Sequence, residues 1–84
     1  MSLEPDYIKS IIEQSIPTKH VQVLSEDGVH FQAMVISSVF DGLSLLKRQQ
    51  FVYKSLGDLI SSGKLHALSL KTYTAQEWQH KQQD

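Results

Sequence analysis

Four histidines, His20, His30, His66 and His80, are with Met1 and Met34 the only soft or borderline metal ligands of this 84-residue chain. There is no cysteine, which excludes disulfides, a thiol nucleophile and an all-cysteine metal site. Two imidazoles alone make a poor zinc site, because zinc takes three or four protein ligands. An incomplete pair makes chemical sense when a second molecule completes the site and brings any thiolates itself. His80 follows Glu77 by three positions on an expected surface helix, which does not make an HExxH metalloprotease motif. His20 likewise reads as a surface residue. His30 and His66 each stand at the mouth of an apolar run, where the ordinary role of a histidine is to cap a loop carbonyl or face water.

The elements that position them follow from pattern. Leu3, Tyr7, Ile8, Ile11, Ile12, Ser15 and Ile16 keep the i, i+3, i+4 spacing of an amphipathic helix. Pro5 suits its first turn and Pro17 stops it. Residues 20–25 (HVQVLS) and 30–37 (HFQAMVIS) read as strands around Glu26-Asp27-Gly28, a hairpin signal because Asp-Gly tolerates positive φ. Asp41-Gly42 is a turn. Residues 44–62 read as a long helix with Leu45, Val52, Leu56, Leu59 and Ile60 at helical spacing and a break or 3₁₀ opening within the polar stretch 46–51. Gly57 weakens that helix, and Gly63 caps its end. A strand over 65–73 follows, then the capping box Thr74-Ala-Gln-Glu77, which opens a short helix through Trp78. The tail beyond is expected to fray.

The resulting order is α-β-β-α-β-α. The hairpin is antiparallel, and a strand–helix–strand crossover usually joins parallel neighbours. Parallel second and third strands would start at the same end of the sheet, and their first segments carry His30 and His66. Topology alone thus brings together two imidazoles 36 positions apart. His30 is in phase with Met34 and Ile36, and His66 with Leu68 and Leu70, so both rings are expected to be partly covered. A cluster ligand is one use for such a pair, since histidine in place of cysteine raises the potential of an iron–sulfur centre and binds only when neutral.

The whole composition is that of one globular domain: 40% hydrophobic, 20% charged, net charge −1. No apolar run approaches the roughly 20 residues of a membrane span. The charged, mixed N-terminus does not read as a signal peptide, so the cytoplasm is the expected compartment. Residues 1–41 hold two Lys/Arg and six Asp/Glu, and residues 42–84 hold six and three. That asymmetry reads most simply as a solvated surface, with a basic face toward an acidic partner or phosphate backbone as the sharper alternative. No serine–histidine–acid set, phosphate loop or carboxylate pair stands out, so catalysis is not expected. Asp27 is near enough to His30 to orient its ring, although hairpin turns carry Asp for conformational reasons too.

Three segments, DGVHFQAMVIS at 27–37, FDGLSLLKRQQFVYKSLGDLI at 40–60 and KLHALSLKTYTAQEW at 64–78, resemble the BolA family and, within it, the short bacterial YrbA (IbaG)-like branch. The resemblance spans nearly the whole chain. It implies a single α+β domain over 1–84, similar to the class II KH domain, with a three-stranded mixed sheet packed against helices. It also implies a monothiol glutaredoxin partner and a 2Fe–2S cluster shared with that glutaredoxin and glutathione, none being bound by the isolated chain. His66, in Leu-His-Ala, matches the family's cluster ligand, and His30 matches the second ligand on the loop between the first two strands. Lys64, Lys71 and Thr72 are assigned to partner binding. The implied role is iron–sulfur trafficking or iron sensing, under stress conditions, with weak homodimerisation through an exposed strand edge also permitted.

The competing reading is nucleic-acid binding by a transcriptional regulator, with Lys47, Arg48 and Lys54 on phosphates, helped by Lys64 and Lys71. Against it, a KH domain grips its strand with a GxxG loop, and the sequence contains none. The net charge of −1 supplies little electrostatic affinity. Phe51 and Tyr53 are expected in the core rather than stacked on bases.

Overall fold

Pro5 opens the first helix, α1 (Pro5–Ser15), and Ile8, Ile12 and Ile16 form its fully buried stripe. The stripe ends where Pro17 forbids another turn. The computed structural model describes residues 3–65 and 67–83. Strands β1 (His20–Leu24) and β2 (Phe31–Ile36) pair antiparallel, Val21 opposite Val35 and Val23 opposite Ala33. Their alternation is regular: Val21, Val23, Phe31, Ala33 and Val35 face α1 and the core, while Gln22, Leu24 and Gln32 face water.

After β2 comes a single 3₁₀ turn, Ser38–Phe40, which the sequence pattern did not announce. Ser37 builds it: its hydroxyl accepts from the Val39 N–H and donates to the Pro17 carbonyl. The turn drives Phe40 into the centre of the core.

The expected long helix is two helices, α2 (Leu45–Ser55) and α3 (Gly57–Ser61). The break lies at Leu56, not within 46–51, which is regular helix capped by Ser44. Leu56 leaves helical geometry (φ −99°, ψ 13°), and its N–H is shared between Val52 and Tyr53 carbonyls. The shift keeps both Leu56 and Leu59 in the core. Leu45 and Ile60, at the two ends of the expected stripe, are exposed instead, and so is Phe51. Tyr53 is half-buried, its hydroxyl taking a hydrogen bond from Gln49. Gly63 takes the left-handed conformation that ends α3.

Strand β3 (Leu68–Tyr73) begins three residues later than the apolar run suggests. Leu65 is buried, but its N–H bonds to the Leu59 carbonyl, so it seals α3 rather than entering the sheet. β3 runs parallel to β2, from Phe31 opposite Leu68 to Ile36 opposite Tyr73. The sheet order is β1-β2-β3. Helix α4 (Ala75–Gln83) continues well past Trp78, against the expectation of a fraying tail. The Trp78 ring packs on Tyr73 at 5.4 Å between centroids, and Lys81 lies over the same tyrosine. Helices α1 and α2 cover one face of the mixed sheet; on the other, Gln22, Gln32, Ser69 and Lys71 are exposed, and Tyr73 at the end of β3 meets Trp78 of α4. Among the described residues, no helix is long and apolar enough to cross a membrane.

Candidate functional site

His30 is not in β2. It ends a six-residue loop, 25–30, whose shape is set by two side chains. Ser25 Oγ accepts from the Gly28 N–H at 2.9 Å and donates to the His30 carbonyl at 2.7 Å. Asp27 Oδ1 accepts from the N–H groups of Val29 and His30 at 2.9 and 2.8 Å, and its Oδ2 lies 2.7 Å from His30 Nδ1. Gly28 supplies the left-handed residue that the turn requires, at φ 74°. With its N–H held by Asp27, His30 is withdrawn from the ladder, and the strand phase that would have tucked its ring beside Met34 does not apply. The His30 side chain is 77% exposed. The hydrogen bond from His30 holds the Asp27 carboxyl well below the usual range, helped by the two backbone N–H groups.

The residue after His30 makes the first bond across to β3: the Phe31 N–H donates to the Ala67 carbonyl at 2.8 Å. Ala67 is the residue after His66. His66 itself lies outside the described residues. Its described neighbours are fixed, Leu65 by burial against the core and Ala67 by this bond. The parallel pairing from which the shared sheet end was inferred is therefore present.

The other expected site residues do not form one patch. Lys64 lies exposed in the turn after α3. Lys71 projects from the open sheet face, and Thr72, next along β3, is half-buried on the helix side; both border a shallow groove with Leu45 and Tyr73. Lys47 and Lys54 are exposed on α2. Arg48 is not available to a phosphate. It is buried, and its guanidinium donates to Glu77 Oε1 and Oε2 and to the Leu43 carbonyl, with Phe40 beneath it. The signal was present in the spacing, since Arg48 is one helical turn before Val52 and two before Leu56, both core residues.

Among the described residues, no group of three or more histidines, cysteines or carboxylates is placed to hold a metal ion. What His30 offers is an exposed imidazole held in place by a neighbouring carboxylate. Asp27 occupies Nδ1 of a side chain that is 77% exposed, which leaves Nε2 as the ring's other nitrogen and suits a ligand that contributes to a metal centre held elsewhere.

Residues 2–77 match the BolA-like protein family, and the chain belongs to that family. It is 40% identical over 76 residues to the acid stress protein IbaG of Escherichia coli strain K12, covering 90% of this chain and 89% of that one. A BolA homologue from Coxiella burnetii superposes with a TM-score of 0.75 at 39% identity, over 92% of this chain and 97% of the other. A BolA-like protein from Babesia bovis gives a TM-score of 0.84 over 95% and 94% of the two chains; at 23% identity it speaks for the fold alone.

Proposed function

We propose that this BolA-like chain is the cytoplasmic partner of a monothiol glutaredoxin and co-ligates a shared 2Fe–2S cluster, in iron–sulfur trafficking or iron sensing. The glutaredoxin and glutathione supply the thiolates that a cysteine-free chain cannot. His66 and His30 supply imidazole nitrogen. The observation that carries the reading is the state of His30: an exposed ring, anchored at Nδ1 by Asp27, on the loop that leads into the Phe31–Ala67 bond. Exchange of thiolate for imidazole would raise the cluster's reduction potential, a chemically useful difference for release or sensing. The name of the Escherichia coli relative places that protein in acid stress, a setting compatible with such a role. The burial of Arg48 weakens the nucleic-acid alternative, because it removes the central cation of the proposed phosphate-binding set.

The test is titration of the chain into a cluster-loaded monothiol glutaredoxin, followed by visible circular dichroism. A new spectrum that is lost with His66→Ala and altered with His30→Ala supports shared ligation. A glutaredoxin spectrum unchanged by the wild-type chain removes it.

A further inference from the structure

An exposed surface histidine is ordinarily free to rotate, and holding it costs side-chain entropy. His30 is held at three points: its N–H by Asp27 Oδ1, its carbonyl by Ser25 Oγ, and its ring by Asp27 Oδ2. The third of these contributes nothing to the turn. The turn is already built by the bonds from the Val29 and His30 amides to Oδ1 and by the Ser25 bridge. The remaining carboxylate oxygen is spent on the imidazole alone, at 2.7 Å.

The direction of that bond is fixed by chemistry. An ionised carboxylate only accepts, so the proton between Oδ2 and Nδ1 belongs to Nδ1. A neutral imidazole has one N–H, so its other nitrogen, Nε2, carries the lone pair. This is the reverse of the tautomer that a histidine side chain favours free in water. A carboxylate behind the ring also makes Nε2 a stronger donor and fixes the angle at which it is presented.

We propose that Asp27 is a positioning residue, which locks His30 in the Nδ1–H form and aims the Nε2 lone pair outward at a metal centre carried by a partner. The identity of that centre as an iron–sulfur cluster rests on the function proposed above; the tautomer and the donor role do not. Asp27 therefore has two separable duties, one per oxygen. Asparagine keeps the carbonyl oxygen that accepts from Val29 and His30 but presents an NH₂ to the ring, which cannot accept from Nδ1–H.

The experiment uses the full chain labelled uniformly with ¹⁵N. Long-range ¹H–¹⁵N correlation reads the His30 tautomer at a pH where the ring is neutral, and Zn²⁺ alone then serves as a weak probe of Nε2. The wild-type chain is expected to show a protonated Nδ1 and to shift at Nε2 as Zn²⁺ is added. Asp27→Asn is expected to keep the Val29 and Gly28 backbone amide signals of the intact loop, to gain the Nε2–H form, and to bind Zn²⁺ through His30 roughly tenfold more weakly. A predominantly Nε2–H ring in the wild type overturns the proposal. So does an Asp27→Asn variant with unchanged tautomer, or with changed tautomer and unchanged Zn²⁺ response. Should the Asn variant lose the loop amide signals, Asp27→Ser, which retains one hydroxyl acceptor for the loop, is read by the same criteria. Failure of the glutaredoxin titration with these zinc results intact would remove the cluster reading and leave the role of Asp27 standing.

Discussion

Arg48 and Glu77, 29 residues apart, are joined by two parallel hydrogen bonds, Nη1 to Oε1 at 2.7 Å and Nη2 to Oε2 at 3.2 Å. The arginine side chain is 8% exposed and the glutamate 47%. Glu77 is already immobilised before it meets Arg48: its Oε1 accepts from the Thr74 N–H at 2.9 Å, and its own N–H donates to Thr74 Oγ1 at 3.1 Å. A local capping box thus presents a carboxylate to a buried cation, and the pair ties α2 to the start of α4 beyond the end of β3.

Among the described residues, removing the carboxylate leaves the buried guanidinium with the Leu43 carbonyl as its hydrogen-bond acceptor and the Phe40 ring beneath it. Glu77→Ala is expected to cost about 2 kcal/mol, combining a lost cap with a lost charged hydrogen-bond partner, and discounted because Glu77 is half in water. Glu77→Gln retains an acceptor for Thr74 and should cost about half as much. Urea unfolding of the two variants beside wild type checks both values.

The same carboxylate makes stability depend on acid. Arg48, then the Thr74 N–H, hold the Glu77 carboxyl below its ordinary value of 4.5. A group whose pKa is lower folded than unfolded stabilises the fold above the unfolded value and loses that contribution as pH falls through the folded one. The Glu77 contribution should therefore be complete at neutral pH and shrink below about pH 4.5. The urea midpoint of Glu77→Gln should fall less steeply over that interval than that of wild type.

Phe40 and Phe51 offer a contrast between two aromatics that look alike in sequence. Phe40 is fully buried, beneath Arg48; Phe40→Ala should cost about 3–5 kcal/mol. Phe51 is 41% exposed, and Phe51→Ala should cost well under half of that. Thermal denaturation separates the two outcomes.

Gly28 adopts φ 74° in the loop that carries His30. A Cβ there costs about 1–2 kcal/mol. Gly28→Ala should lower the unfolding midpoint, and backbone amide shifts should change at Val29 and His30 while those of α1 stay in place.

The parts of the fold that were legible in the sequence are those decided locally. Pro5 and Pro17 bound α1, Asp27-Gly28 marks the hairpin, and Thr74 with Glu77 marks the last helix. The parallel β2–β3 pair followed from the intervening helical segment, and with it the common sheet end of His30 and the strand that follows His66. What was not legible depended on distant partners. Leu65 has the same apolar character as a strand residue, and only its bond to Leu59 assigns it to α3. The polar tail after Trp78 has no helical stripe, and α4 is held through Tyr73, which meets both Trp78 and Lys81 of the helix. Arg48 looked like a surface cation because its acid lies on another helix. The anchoring of His30 by Asp27 was within reach because the two are three residues apart, but the six-residue loop broke the strand phase used to orient the ring.

The most direct test of shared cluster ligation is pulsed EPR of the reduced 2Fe–2S complex formed by a natural-abundance monothiol glutaredoxin, glutathione and this chain labelled with ¹⁵N-histidine. Strongly coupled ¹⁵N, lost with His66→Ala and altered with His30→Ala, is the predicted result. A complex whose cluster shows no ¹⁵N coupling from this chain would contradict it.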